Sequence, residues 1–255
     1  AHGYHYLVFS QPLPNSAYAV KVDSTLTRVA LKQIVNRYEV PKDERPPFGG
    51  EYLVTNDLFV VQEESGVTAA FFLPTIGHKL FRLNENLELL ETVTIGGDAA
   101  AHGNGSSAIQ TASGFDVLAA DTIMHLTQSG ISLLRYDEDW ILQEADRLVD
   151  EEGVSASMTS GVYLPNGSLI LQARVNPNAL NKGERSFPSA SGTLTDDGGN
   201  IVRYVFDRDG ELANTQTLYE GPDAHRVHTA RVGDLLITTW DETDRGTVLR
   251  IDQLK

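Results

Sequence analysis

Ala19-Val20-Lys21-Val22-Asp23, Leu80-Phe81-Arg82-Leu83-Asn84, Leu133-Leu134-Arg135-Tyr136-Asp137, Ile201-Val202-Arg203-Tyr204 and Val248-Leu249-Arg250-Ile251-Asp252 are five copies of one pattern. It consists of two apolar residues, a Lys or Arg, another apolar residue, and then Asp or Asn. In the fourth copy the acidic residue comes late, at Asp207. Each copy reads as a short strand running into a turn. β-Branched and large apolar side chains fit a pleated surface, and an Asx side chain can bond its own backbone just beyond it. In four copies a second apolar stretch follows, at residues 26–35, 87–95, 140–148 and 211–219. A hairpin recurring at roughly 45–70 residue spacing is the mark of a repeat architecture.

Another strand precedes each organising strand: Tyr6-Leu7-Val8-Phe9, Leu58-Phe59-Val60-Val61, Val117-Leu118-Ala119-Ala120, Leu169-Ile170-Leu171 and Leu235-Leu236-Ile237. Turn signals sit before them at Gly3, Asn56-Asp57, Ser113-Gly114, Asn166-Gly167 and Gly233-Asp234. A further stretch leads into four of these turns, at 51–54, 107–112, 161–164 and 228–232. The unit is therefore four antiparallel strands, a to d. The first unit lacks a and the last lacks d.

Five such units predict an all-β chain, a five-bladed β-propeller of four-stranded antiparallel blades occupying residues 1–255 as one domain. Radial repetition leaves only short protected edges and needs no helices. The alternative is a segment of a larger propeller. The c–d hairpins resemble those of quinoprotein-like and NHL-type propellers, where an apolar strand ends in an Asp-rich turn such as Asp207-Arg208-Asp209-Gly210. The resemblance implies a fold and no cofactor; neither nucleotide nor flavin is expected.

Composition narrows the function. Lys plus Arg number 20 against 35 Asp plus Glu, a net charge of −15 that repels phosphate backbones and argues against nucleic acid. With no cysteine there are no disulfides or thiolate metal sites. No apolar run approaches the ~18 residues of a membrane span. The start at Ala1-His2-Gly3, without Met, fits a processed secretory protein or a piece cut from a longer chain, and an extracellular or periplasmic location is expected.

Loop length selects a face. The a–b and c–d turns read as short, and the other connections as long: 39–50, 62–78, 96–106, 150–157, 175–199 and 220–227. Long loops on a rigid scaffold carry function. The candidate metal ligands are His102, His225 and His228, whose imidazoles could hold Zn or Cu near the central axis. In an extended strand His225 and His228 would point to opposite sides. Arg45, Arg185 and Arg226 could clamp a ligand carboxylate or sulfate. Lys21, Arg82, Arg135, Arg203 and Arg250 are expected to pair with carboxylates of neighbouring blades.

Three functions compete. The first is a secreted or periplasmic propeller binding a small molecule, saccharide or divalent ion at the long-loop face. The second is a lyase or hydrolase on a polyanionic or glycosidic substrate, with His102 or His225 as base and Arg185 or Arg226 as clamp. The third is a protein-interaction platform. No Gly-x-Ser-x-Gly elbow and no glycine-rich loop leading into a helix is present, so the sequence does not itself declare an enzyme.

Overall fold

A computed structural model of the chain describes residues 3–11, 16–36, 54–63, 66–73, 77–95, 107–120, 130–149, 155–176, 199–242 and 244–254. Among these there is no helix, hence none long and apolar enough to cross a membrane. The first sheet is β1 (Tyr4–Gln11), β2 (Ser16–Asp23) and β3 (Arg28–Asn36). The second is β4 (Val54–Glu63), β5 (Gly66–Leu73), β6 (Gly77–Asn84) and β7 (Leu89–Ile95). The third is β8 (Ser107–Thr111), β9 (Gly114–Ala120), β10 (Ile131–Tyr136) and β11 (Leu142–Val149).

The last sheet has six strands: β12 (Ser155–Tyr163), β13 (Leu169–Asn176), β14 (Gly199–Phe206), β15 (Leu212–Val232), β16 (Leu235–Glu242) and β17 (Gly246–Gln253). It is two blades sharing one strand. The first part of β15 pairs with β14, and from Ala224 onward it pairs with β16. Every sheet runs in sequence order, so the chain is an all-β, five-bladed β-propeller with three or four strands in each blade.

One turn recurs in blades one to four. In each, the backbone N–H of the Asx closing the c strand donates to the carbonyl four residues on: Asp23 to Thr27, Asn84 to Glu88, Asp137 to Ile141 and Asp207 to Glu211. The Asx Oδ1 accepts two further amides. Those of Thr25 and Thr27 bond Asp23, and those of Asn86 and Glu88 bond Asn84. Asp139 and Ile141 bond Asp137, and Asp209 and Glu211 bond Asp207, all at 2.9–3.0 Å. This closure forces the residue three after the Asx to positive φ. Gly210 takes φ 85° freely, whereas Leu26 (63°), Leu87 (65°) and Trp140 (60°) carry the left-handed strain of ~1–2 kcal/mol that a Cβ imposes.

Burial offsets that strain in two of the three. Leu87 lies 1% exposed among Ala19, Val67 and Leu83, and Trp140 stacks on Phe115 at 4.1 Å. Beside them, burial pushes the Tyr136 phenol up to about 12. A glycine opens strand b in blades two and three because the turn end of strand c presses on it. A Cβ on Gly66 would stand 1.9 Å from the Leu83 carbonyl oxygen, and one on Gly114 2.1 Å from that of Tyr136.

The chain groups into two compact units. One is Ala1–His102, Gln110–Asp116 and Leu134–Glu144; the other is Gly103–Ile109, Val117–Leu133 and Ala145–Lys255. In the first unit, Ala17 and Ala19 of β2 meet Ala69, Val67 and Leu83 of blade two. In the second, Leu118, Ile131 and Leu133 pack with Leu169, Leu171, Ala173 and Tyr204.

The basic residues of the repeat depart from expectation. Lys21 donates to the Glu85 carbonyl of blade two at 2.8 Å and lies 4.1 Å from the Tyr4 ring centroid. Arg203 reaches the neighbouring blade as expected, bonding Asp252 at 2.6 Å. Arg82 pairs instead with Glu63 and Glu91 of its own blade, and Arg135 with Glu144 of its own blade at 2.6 Å. A fourth strand directly beside the arginine offers a nearer carboxylate than the next blade does.

Blade two also differs from its sequence reading. Asn56-Asp57 was expected to be a hairpin turn and lies instead within β4, where the register slips from Val54↔Phe72 to Leu58↔Phe71. The turn-forming residues are absorbed in a bulge, and β4 runs on to pair Glu63 with Gly66. The expected long loop 62–78 is therefore largely strand β5.

The turn predicts opposite effects of one substitution. Leu26 is 73% exposed, so Leu26→Gly should raise the unfolding free energy by up to ~1 kcal/mol by relieving left-handed strain. Leu87→Gly should lower it by ~2 kcal/mol or more, because lost burial outweighs relief. Urea denaturation checks both, and equal signs would contradict this account.

Candidate functional site

Half of the predicted ligands lie beyond the described residues. Arg45, His102 and Arg185 fall outside them. His225, Arg226 and His228 belong to β15, so the expected loop 220–227 is continuous strand. A strand can run through it because Ala224 finds partners on both sides, Gly199 of β14 and Glu242 of β16.

A bulge also changes the expected alternation. His225 pairs with Asp241 and Val227 with Trp240, leaving Arg226 as the extra residue. His228 then pairs with Thr239, so the register positions of His225 and His228 face residues two apart on β16. The bulge thereby removes the alternation that would set the two positions on opposite faces. His228 is exposed.

Where β15 changes partner, Ile201, Ala224, Val227 and Trp240 form a buried cluster against Leu218, Tyr219 and Val248. The Tyr219 ring lies 6.2 Å from that of Trp240, tilted by 45°. Asn200 Oδ1 accepts the Gly221 amide at 3.1 Å, fixing the bend of β15 against β14.

Glu242, the last residue of β16, sits at the edge of this cluster with only 7% of its surface exposed. Its Oε1 accepts the Trp240 indole N–H at 3.0 Å, and its Oε2 lies 3.6 Å from the guanidinium of the largely exposed Arg245. A polar group taken out of water needs such partners to offset the cost of its burial. The adjacent Asp241 accepts the Thr247 hydroxyl at 2.7 Å on the other face of the strand. Sequence reasoning missed Glu242 because nothing separates it from 34 other carboxylates; the one local signal is that it closes an apolar strand just after a tryptophan.

Nearer the turns of the same two blades lies a polar layer. Gln172 Nε2 donates to Thr238 Oγ1 at 2.8 Å, and the Thr229 amide to Ser160 Oγ at 2.8 Å. Gln172 and Thr238 are fully buried. Ser160 and Gln172 are register partners in blade four, and Thr229 and Thr238 in blade five, so the two bonds tie one blade to the other. Among the described residues no group of three His, Cys, Asp or Glu could hold a metal ion.

No family model matches the chain, and no curated protein matches it in sequence. Its fold is similar to solved structures. An endo-arabinase from Bacteroides thetaiotaomicron is 12% identical with a TM-score of 0.63, over 99% of this chain and 90% of that one. A thermostable family-43 glycoside hydrolase is 9% identical with a TM-score of 0.61, over 100% and 87%. The Bombyx mori GH32 β-fructofuranosidase is 12% identical with a TM-score of 0.62, over 99% and 58%. At such identities the likeness shows the fold alone.

The Glu242 contacts predict a graded response. Glu242→Leu leaves the buried Trp240 indole N–H without its acceptor and should destabilise the fold by ~1–3 kcal/mol. Glu242→Gln keeps an acceptor oxygen and should cost less than half as much. Equal losses on urea denaturation would show that the indole bond contributes nothing.

Proposed function

We propose that this chain is a hydrolase of glycosidic bonds in a neutral saccharide, working at the end of the blades from which the long connections leave. The carrying observation is the chain-long likeness to an endo-arabinase, a family-43 glycoside hydrolase and a β-fructofuranosidase. Charge supports the choice of substrate, because a protein at −15 repels the polyanion that a lyase would need. Glycoside hydrolysis uses two carboxyl groups, one held protonated as acid and one ionised as base or nucleophile. Glu242 is the candidate for one of the two, a carboxylate held in place by the Trp240 N–H and lying 3.6 Å from the Arg245 guanidinium. In this reading Arg185 and Arg226 orient the saccharide, and the protein works outside the cell or in the periplasm.

The test is hydrolysis of arabinan, fructan and xylan by the purified protein, followed as new reducing ends. Glu242→Gln should lower kcat/KM at least ~100-fold, about 2.7 kcal/mol of transition-state stabilisation, while leaving the fold intact. Wild-type protein that neither binds nor cleaves any neutral glycan overturns the reading. A Glu242→Gln variant with full activity removes that residue from it.

A second reading rests on the β15 bulge. With His225 and His228 at register positions facing residues two apart, the two could together hold one Zn or Cu ion. The ion would be released as the imidazoles protonate around their ordinary pKa of ~6.5. Titration with Zn should then give one site per chain, lost below pH ~6 and in His228→Ala, and kept in His5→Ala. Equal binding by both variants would exclude it.

A further inference from the structure

The seam between blades four and five carries four neutral polar side chains at one level. Ser160 and Gln172 stand opposite each other on β12 and β13, and Thr229 and Thr238 on β15 and β16. Register partners of an antiparallel pair present their side chains on the same face of the sheet. Here the two faces meet: Gln172 Nε2 donates to Thr238 Oγ1, and the Thr229 amide to Ser160 Oγ, both at 2.8 Å. Ser160 is 7% exposed, and Gln172 and Thr238 not at all.

Those two bonds leave part of the layer's hydrogen-bonding capacity unused. Gln172 Oε1 and Thr229 Oγ1 are both buried, and among the described residues neither has a partner. The orphan carbonyl belongs to the amide that bonds Thr238, and the orphan hydroxyl to the residue opposite Thr238. A buried carbonyl without a donor has given up its hydration and received nothing in exchange. The Ser160 and Thr238 hydroxyl oxygens each accept one N–H. Like that of Thr229, each keeps a proton to give.

We propose that this layer is a binding site for one small neutral molecule that both donates and accepts, a water shared by blades four and five. The water donates a proton to Gln172 Oε1 and takes the Thr229 hydroxyl proton into a lone pair. Its other proton and lone pair suit the Thr238 and Ser160 hydroxyls, within the two to four bonds that a buried water makes. A metal cation fits worse. It would fill oxygen lone pairs but leave the hydroxyl protons without an acceptor, and none of the four side chains carries a charge to balance it. The bound water completes a neutral tie between the two blades, in addition to the Arg203–Asp252 ion pair.

Thr229→Val tests this, because among the described residues the Thr229 hydroxyl bonds no protein group that the change would strip. Valine has the shape of threonine and at least its preference for a strand, so a layer without water predicts unchanged or higher stability. With the water bound, Thr229→Val removes one of its partners and should lower the folded-to-unfolded ratio in urea at least ~fivefold. A crystal structure of the wild type gives a second readout. It should show one density peak ~2.7–3.2 Å from both Gln172 Oε1 and Thr229 Oγ1. A Thr229→Val variant as stable as wild type overturns the proposal. So does the absence of that peak, or a peak ringed by six or more oxygens at ~2.4 Å, as a cation would be.

Discussion

A single hydrogen-bond acceptor sets the blade geometry: the Oδ1 of the Asx that ends the c strand in blades one to four. By taking two amides ahead of it, that oxygen fixes a tight turn and sends the chain back as strand d in one register. The turn then dictates a left-handed residue three positions on, whatever side chain stands there. Only blade four meets this demand with glycine. Blades two and three use a large apolar residue and bury it, so a strained backbone becomes a core anchor, Leu87 in one and Trp140 in the other. The acceptor is also charge-sensitive. Hydrogen bonds from the Thr25 hydroxyl and the Thr27 and Thr25 amides hold the Asp23 carboxyl below its ordinary range.

Such local closure is why so much of the fold was legible. An Asx oxygen, the amides it binds and the left-handed residue lie within five consecutive positions, and apolar alternation on either side does the rest. What misled was the same chemistry out of place. Asn56-Asp57 has the composition of a turn, yet β5, the apolar run 66–73, pairs with residues on both sides of it, and the long-range ladder wins over the local preference. β15 was misread for a related reason. Residues 220–227 contain Gly221 and Pro222 and read as a loop, but the edges of β14 and β16 offer partners in succession, which only the folded arrangement reveals.

The site was less legible than the fold. Long connections mark one end of the blades by length alone, but they carry no periodicity from which positions could be derived. Arg45, His102 and Arg185 stand out on such segments by residue type alone. Glu242 was passed over because its distinguishing features are burial, an indole donor and a guanidinium, and each arises from tertiary packing. The bulge between His225 and Val227 is likewise invisible in sequence, yet it reverses an argument from alternation that would hold in any regular strand.

The repeat arginines show how one sequence element serves different ends. Arg82 and Arg135 find carboxylates on the adjacent strand, so their pairs tie strand to strand within a blade. In blade four the register partner of Arg203 is Gln216, a neutral residue, and Arg203 crosses instead to Asp252. Burial pushes the Asp252 carboxyl up, but hydrogen bonds and charge from Arg203 and Arg250 more than offset this and hold it below its ordinary value. A folded value below the unfolded one means that this link stabilises above pH ~3.9 and is lost as pH falls through the lowered value. The Arg203–Asp252 tie between blades four and five thus depends on a carboxylate's charge, whereas the Gln172–Thr238 and Thr229–Ser160 bonds between the same blades do not. Acid therefore removes this one ion pair between the two blades while leaving their uncharged bonds in place.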